Sequence, residues 1–580
     1  VKGADEARKL RLRAAEALLP AFAWVIGGQA WRLAVGSLAG TQPSTPRMLA
    51  IGLVFLPVLA APYLTRAYGA PRAAAGAALV LAGLRLAAAL VGPALAGAFG
   101  WLGLSVFALY LSLWPAACPS RRQAGHALML GLSLQLVDRI VTATLDLAWR
   151  PGWWAMLCAL ALTAPALVAA REGLRAGLGE PRRSPLPMAM PLALLVCSLA
   201  VSHPTRLSEP LGLSLPTTLW VMALSIVGGM AVAGLTDQFL KGLSVRRGRP
   251  ARLRVVYQAW RTSLTLVAIV GLLCGGHVGL GAAVLTGPTV VAINLAALLR
   301  SRPIGRDRLV GGLLPLLSWW LAMALAAQSD DHLWPAAAAL ALLYGYATVA
   351  LLNQERVDPT QERVEYWTLL GHALLLVVAA WPAFGRTAPP LARMLPAEHM
   401  TVAVVDTAGA PRQVARRLAA VSAARPDVVL MLGVRRGEGL RFEDSAWWLS
   451  RSLGLTVRLQ SHGELALLAK ATPLETSVIS SEAMAALWPL ADDNGLAAAV
   501  IDAPSRESSA VELTVPALAS WPRRLLAGRV ADGSAPPAGY TDLLAGDPRE
   551  LVLWAGDGIM ANLISHPEPG VLCAELAIEP

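Results

Sequence analysis

The chain has 580 residues, 56% of them hydrophobic and 15% charged, with a mean hydropathy of +0.54. Soluble domains carry about 25% charged residues, so this composition argues against a wholly cytosolic enzyme, and the apolar content excludes intrinsic disorder. The formal charge of +11 is uneven: residues 1–385 hold 32 Lys+Arg and 16 Asp+Glu, residues 386–580 hold 17 and 22, and the acidic second part argues against nucleic-acid binding.

The N-terminal segment Lys2 to Arg13 is charged, and no small-residue cleavage site follows it. The first apolar run therefore reads as a retained anchor and not as a cleaved signal peptide. Runs of roughly 17–25 apolar residues can cross a bilayer. Thirteen are predicted, near 16–40, 47–65, 73–91, 96–117, 126–148, 152–170, 187–203, 215–240, 262–276, 280–299, 309–327, 333–352 and 366–384. The ninth and tenth are separated only by Gly275 to Gly279 and read equally as one broken helix.

Arg and Lys between these runs alternate in density. With a cytoplasmic N-terminus, the segments 1–15, 66–72, 118–125, 171–186, 241–261, 300–308 and 353–365 hold 26 Lys+Arg, against three (Arg47, Arg150, Arg206) in the short outer loops. This is the positive-inside pattern. An odd number of spans then puts the C-terminal part on the periplasmic or extracellular side of a multi-pass protein of the cell membrane. The loop Lys241–Arg261, with seven Lys/Arg and no acid, is read as a determinant of topology.

Ionisable residues at bilayer depth are costly and face a bundle interior or a cavity. The candidates for an intramembrane polar pocket are Arg32, Arg85, Gln135, Asp138, Arg139 and Asp146. Gln135, Arg139, Thr142 and Asp146 share one helical face, with Asp138 about 100° away. Two readings stand: a pocket for a lipid headgroup or another anionic substrate, or internal ion pairing such as Arg85 with Asp138. Asp237 reads as a helix-end residue, His372 as a packing residue and Asn294 as neutral company. No Walker A, HExxH or GxSxG motif is present, and the five cysteines show neither CxxC nor Cys/His spacing.

A Pro-rich linker at 386–400 leads to a domain over 401–580 in which strand and helix signals alternate. Strands are predicted at Thr401–Val405, Val428–Leu432, Thr456–Leu459, Leu465–Ala469, Leu551–Ala555 and Val571–Ile578, with helices at Arg412–Ala424 and Ser445–Leu453. Four fragments in order, TVAVVD, RPDVVLMLGVRRGE, HGELALLAKATPLETSV and LVLWAGDGIMAN with ISHPEPGVLCAEL, resemble segments of the endonuclease/exonuclease/phosphatase superfamily. They match "PDVVxLQEV", "G-x-A-x-L-S-R-x-P-I", "V-I-L-x-G-D-F-N" and "S-D-H-x-P-V-x-A-x-L". The resemblance implies a four-layer α/β sandwich that hydrolyses phosphoesters with Mg²⁺ or Mn²⁺. Carried over by position, it implies Asp406 and Asp557 as metal ligands and Asp557 and His566 as catalytic residues, His566 only after a slip of one or two positions. Several positions depart from the pattern. Asp406 replaces an Asn, Gly433 stands where the metal-binding Glu would be, Ile559 replaces the second Asn, and Glu438 lies five residues beyond the missing Glu. The departures point to an impaired or repurposed domain, with a metal-dependent hydrolase as the other reading.

The whole plan resembles the eukaryotic membrane proteins that remodel the lipid of GPI anchors. A composition rich in Ala, Arg, Gly, Pro and Trp and poor in Lys suggests a GC-rich bacterial genome, so only a lipid-linked role carries over. The expected function is binding or processing of a lipid-linked, phosphate-containing substrate at the outer leaflet. The alternatives are a transporter or flippase-like protein whose C-terminal domain is a non-catalytic lid or partner-binding module, and a non-enzymatic scaffold.

Overall fold

The computed structural model describes residues 18–34, 51–91, 93–117, 121–142, 153–175, 189–196, 217–229, 231, 250–274, 276–299, 308–327, 334–352, 373–378, 394–396, 398–408, 411–434, 445–459, 464–480, 482–491, 495–503, 509–521, 523–531, 534–544, 551–556 and 559–578. The chain divides into two compact units, the first taking most of residues 1–383 and the second most of 384–580.

The first unit is helical throughout its described residues. Its labelled helices are α1 (Ala61–Tyr68), α2 (Ala70–Leu90), α3 (Pro93–Ala117), α4 (Arg121–Thr142), α5 (Trp153–Arg175), α6 (Pro250–Cys274), α7 (Gly276–Leu299), α8 (Arg308–Ala327) and α9 (Trp334–Leu352). Among the described residues five helices are long and apolar enough to cross a membrane: Ile51–Tyr68, Ala70–Leu90, Leu95–Pro115, Val255–Cys274 and Val278–Leu295. Shorter apolar helices cover Thr217–Gly229, Leu313–Ala326 and Trp334–Val349. These composition-defined helices make the first unit that of a membrane protein, and they number fewer than the thirteen spans expected. The expected spans near 187–203 and 366–384 lie largely outside the described residues, and the one near 215–240 is described only over 217–229 and at 231.

Small residues decide how these helices meet. Without a hydrophobic force between helices in lipid, close backbone approach is the main source of packing energy. A Cβ at Gly100 would come within 2.6–2.9 Å of Leu33 and Ala34, one at Gly103 within 3.0 Å of Ala30, and one at Gly131 within 2.9 Å of Trp24. These glycines of α3 and α4 let the helical residues 18–34 pack closely against both. Gly271 of α6 likewise abuts the Gly279 carbonyl of α7. The ninth and tenth expected spans are therefore two separate, tightly packed helices, resolving the ambiguity in that stretch. Between α1 and α2 the chain turns at Gly69, whose φ of 80° favours glycine, and Pro71 then opens α2.

The second unit is built from two six-stranded sheets. The strands are β1 (His399–Asp406), β2 (Val428–Leu432), β3 (Thr456–Leu459), β4 (Ala466–Ala469), β5 (Glu475–Ser480), β6 (Ala483–Pro489), β7 (Gly495–Ala503), β8 (Arg523–Val530), β9 (Thr541–Asp542), β10 (Val552–Ala555), β11 (Ile559–Ser565) and β12 (Val571–Ile578). The helices are α10 (Pro411–Ala424), α11 (Ser445–Leu453) and α12 (Ala510–Leu518). The sheet orders are β11-β12-β1-β2-β4-β3 and β5-β6-β7-β8-β10-β9. Each sheet has one parallel pair, β1 with β2 and β7 with β8, linked through α10 and α12 respectively.

The period-two alternation of each strand sorts its side chains into layers. Val402, Val404, Leu430, Val500, Leu525 and Leu553 point into one core between the sheets. Val405, Val429 and Met431 meet Val414, Leu418 and Leu449 of α10 and α11. Ile501, Leu526 and Trp554 form the third core, which includes Ala510 and Leu518 of α12. The unit is thus a mixed α/β structure with helices on the outer faces of both sheets.

Candidate functional site

Two charged clusters stand out, one in each unit. In the membrane unit, close packing of residues 18–34 on α4 brings Arg32 Nη2 to 2.6 Å from Asp138 Oδ2 and lets Gln29 Nε2 donate to Asp138 Oδ1 at 3.0 Å. Arg85 Nε of α2 donates to Gln29 Oε1 at 2.6 Å, and Trp24 Nε1 donates to Gln135 Oε1 at 3.0 Å. Arg32, Arg85, Asp138 and Arg139 are 4%, 3%, 7% and 0% exposed. Of the expected pocket residues, Arg32, Arg85 and Asp138 are joined in one network through Gln29. Gln135 sits one turn from Asp138 and faces the same segment. Arg139 is buried next to Asp138 in sequence, and Asp146 lies outside the described residues.

Arg32 is an ion-pair partner of Asp138, because the glycine contacts lay residues 18–34 directly on α4, and Arg85 joins the network through Gln29. Two guanidinium groups, of Arg32 and Arg85, are thus held with the Asp138 carboxylate in one buried network. A buried guanidinium stays charged, so burial cannot be relieved by loss of a proton.

The sequence reading missed Arg261 altogether. It was assigned to the cytoplasmic loop, but it lies within α6, 1% exposed, between Gln258, Asn294 and Thr348. A signal for it was present. Gln258, Arg261, Thr262 and Thr265 recur at helical spacing, and a hydropathy run counted from residue 262 cut through that face.

In the C-terminal unit the candidate site gathers at the end of β1. Asp406 is 7% exposed. Its Oδ1 accepts the Ala408 N–H at 2.8 Å, and its Oδ2 lies 3.7 Å from Arg417 Nη1 and 4.0 Å from Arg529 Nη1. Arg417 also donates to the carbonyls of Asp406 and Ala408, at 2.7 and 2.8 Å, and to that of Pro569 at 2.7 Å. Arg529 holds Asp502 in a bidentate pair at 2.8 and 2.9 Å. The result is an alternating chain, Asp502–Arg529–Asp406–Arg417, that joins β7 and β8 of one sheet to β1 of the other.

His566 is half-buried in the turn between β11 and β12. The same turn carries Pro569 and Gly570, and the Gly570 carbonyl accepts the Asp406 N–H at 2.9 Å. The fold therefore brings the His566 turn to the end of β1. Asp557 and Glu438 lie outside the described residues. The strand before Asp557, β10, runs antiparallel to β8, with Ala555 opposite Leu525 and the Gly556 N–H donating to the Arg524 carbonyl. Ala555 and Gly556 thus sit at the start of β8, whereas Arg529, which reaches Asp406, sits near its end.

Arg524 crosses above Gly556 and places its guanidinium 5.2 Å from the Tyr540 ring centre. Burial pushes the Tyr540 hydroxyl pKa up, and the nearby guanidinium opposes that shift.

Gly433 closes the position where a metal-binding Glu was sought. Its φ is +59°, and a Cβ there would lie 2.7 Å from the Ala408 nitrogen. Thr407 Oγ1 donates to the Leu432 and Gly433 carbonyls at 2.9 and 2.7 Å, fixing this tight approach. Among the described residues no group of three His, Cys, Asp or Glu could hold a metal. A divalent cation needs several oxygen ligands, and the Asp406 carboxylate already has two guanidinium groups within 4.0 Å. The described residues do not fit Mg²⁺ or Mn²⁺.

No protein-family model matches the chain, and no curated protein sequence matches it. Among solved structures, the endonuclease/exonuclease/phosphatase from Beutenbergia cavernae DSM 12333 is similar to 31% of this chain and 72% of its own, at 10% identity and a TM-score of 0.23. A likeness this weak establishes neither the fold family nor the activity.

Proposed function

We propose that this is an integral membrane protein that binds a lipid-linked, phosphate-containing substrate at the outer leaflet, and that its C-terminal unit is a catalytically impaired, phosphodiesterase-like domain. One observation carries the reading: Arg32 and Arg85 are buried in one hydrogen-bonded network with Gln29 and Asp138 in the membrane unit, and Arg139 is buried beside Asp138 in sequence. Guanidinium groups match phosphate oxygens with paired, charge-assisted hydrogen bonds. Gathered at membrane depth, they are the electrostatic complement of an anionic headgroup. In the topology expected from the basic loops, Arg32, Arg85 and Asp138 fall in the outer half of their helices, on the side that carries the C-terminal domain.

The guanidinium groups around Asp406 support the second half of the proposal. They occupy the carboxylate that a metal-dependent hydrolase would use for its ion, so the domain acts in recognition and not in hydrolysis.

The test is purification of the full chain in mild detergent, mass spectrometry of co-purifying lipid, and a phosphodiester assay with Mg²⁺ or Mn²⁺ on the same sample. The expected result is a retained phospholipid or glycolipid phosphate that Arg85→Gln loses, with no metal-stimulated turnover. Metal-stimulated turnover abolished by Asp557→Ala would overturn the impaired-domain reading. A lipid content unchanged by Arg85→Gln would overturn the binding reading.

A further inference from the structure

Arg261 shares no hydrogen-bond partner with the Asp138 network. Its Nε and Nη2 donate to Gln258 Oε1 at 3.2 and 2.9 Å, its Nη1 to Asn294 Oδ1 at 3.0 Å, and its Nη2 to Thr348 Oγ1 at 2.5 Å. The guanidinium carbon lies 4.5 Å from the Tyr344 ring centre. All four partners are neutral, and among the described residues no carboxylate forms an ion pair with Arg261. The arginine cannot shed its proton, so the cage offers a full positive charge balanced only by dipoles.

The cage is built, not incidental. Asn294 is held in orientation by its own amide, which donates to the Val290 carbonyl at 2.8 Å. Thr348 donates its one hydroxyl hydrogen to the Tyr344 carbonyl at 2.8 Å and so presents an acceptor to Arg261. Thr262 donates to the Gln258 carbonyl at 2.7 Å, so in the 2.6 Å contact between Thr262 and Tyr344 the tyrosine is the donor. Gln258 spends its oxygen on Arg261, which leaves its NH₂ group beside the guanidinium as a further donor. Arg261 and Asn294 are buried, whereas Gln258, Thr262, Tyr344 and Thr348 are half-buried, so the cage lies close to the surface of the bundle on the side of these four residues.

Depth and charge point to the occupant. Arg261 lies six residues into the apolar span that begins at Val255, which is about 9 Å along a helix rising 1.5 Å per residue. That is within the first third of a hydrocarbon core roughly 30 Å thick, within reach of a headgroup drawn inward by local thinning of the bilayer. Arg252 and Arg254 precede it on α6, at the end of the helix where anionic groups concentrate.

We propose that Arg261, oriented by Gln258, Asn294, Thr348 and Tyr344, is a second binding site of the membrane unit, for a phosphate anion carried on a lipid headgroup or free in solution. It goes beyond the reading above and does not depend on it, since none of Arg32, Arg85 and Arg139 takes part.

The test is native mass spectrometry of the full chain released from phosphatidylglycerol nanodiscs, together with thermal melts in detergent with and without inorganic phosphate. Arg261→Gln is expected to retain roughly tenfold less phosphatidylglycerol, or to lose a phosphate-induced rise in melting temperature seen in the native protein. Loss of the lipid adduct assigns a headgroup, loss of the phosphate response assigns a free anion, and either supports the site. Arg85→Gln is expected to leave the Arg261-dependent signal in place, which separates this site from the Asp138 network. If Arg261→Gln does not fold, Arg261→Lys keeps the charge without the fork and is expected to weaken the same signal. Identical lipid retention and phosphate response in the native protein and the folded variant would overturn the proposal, as would a native protein that responds to neither probe.

Discussion

The two units use the same pair of side chains, arginine and aspartate, at different depths. In the C-terminal unit Asp502, Arg529, Asp406 and Arg417 form an alternating chain, with side chains between 9% and 30% exposed. In the membrane unit Arg32, Arg85, Asp138 and Arg139 are each no more than 7% exposed. Where water reaches, such a chain contributes little and costs little. Where it does not, each buried ion costs several kcal/mol to desolvate, and such a cost persists where a binding function requires it. The comparison sets charge that staples a fold against charge for which a ligand is proposed.

The sharpest way to break it is Asp138→Ala. Removing the carboxylate takes its 2.6 Å ion pair from a buried Arg32, and the expected loss is about 3–5 kcal/mol, read as a large fall in the melting temperature of the detergent-solubilised chain. The pair Arg32→Met with Asp138→Leu is expected to recover most of that stability while abolishing lipid retention. Recovery of both would make the network a structural staple like the one at Asp406 and would end the contrast.

Gly433→Glu probes the other side. It introduces the acid that an endonuclease/exonuclease/phosphatase-like site would need after β2, yet the left-handed φ of +59° and the approach to Ala408 oppose any side chain. The expected cost is about 1–3 kcal/mol from backbone strain, with no gain of Mn²⁺ binding by calorimetry. Tight Mn²⁺ binding by this variant would mean that the arginines around Asp406 yield to a metal.

Cys573 sharpens the contrast within the C-terminal unit, since it lies in the apolar layer beneath α10. Burial pushes its thiol up to about 11. An unfolded thiol ionises near about 8.5, so the folded chain keeps a proton that the unfolded chain has lost. Stability is therefore full below the ordinary thiol range and declines as pH rises towards 11, by at most about 3 kcal/mol. Cys573→Ala is expected to flatten that decline in melts taken across alkaline pH. An unchanged alkaline slope would assign it to other groups, such as Tyr540.

Much of the fold was legible from local pattern, and the rest failed for physical reasons. β1, β2, β4, β12 and α10 announce themselves through β-branched runs and an amphipathic helix, because each presents a continuous apolar face. β6 and β7, AMAALWP and GLAAAVIDA, escaped detection because alanine favours helices and both faces are buried, which removes the polar alternation. β11 escaped for the opposite reason: it is an edge strand with Met560 and Leu563 exposed. Arg32, Arg85 and Asp138 were legible because an ion in an apolar run is conspicuous. Gln29 as the bridge between them was not, since it follows from the glycine contacts of α3 and α4. Arg529 was hidden by its register, because only the parallel pairing of β7 and β8 carries it to Asp406.

Arg529→Ala gives the smallest effect and the cleanest check on what the solvent does. Its bidentate pair with Asp502 is 30% and 20% exposed on the two side chains, so its loss should cost about 0.5–1 kcal/mol. Ions screen exposed pairs but reach buried ones poorly. The deficit of Arg529→Ala should therefore shrink as salt is added to the melt, whereas the deficit of Asp138→Ala should not. If both deficits responded to salt alike, the Asp138 network would have to be accessible to water, and the difference in burial between the two clusters would no longer separate them.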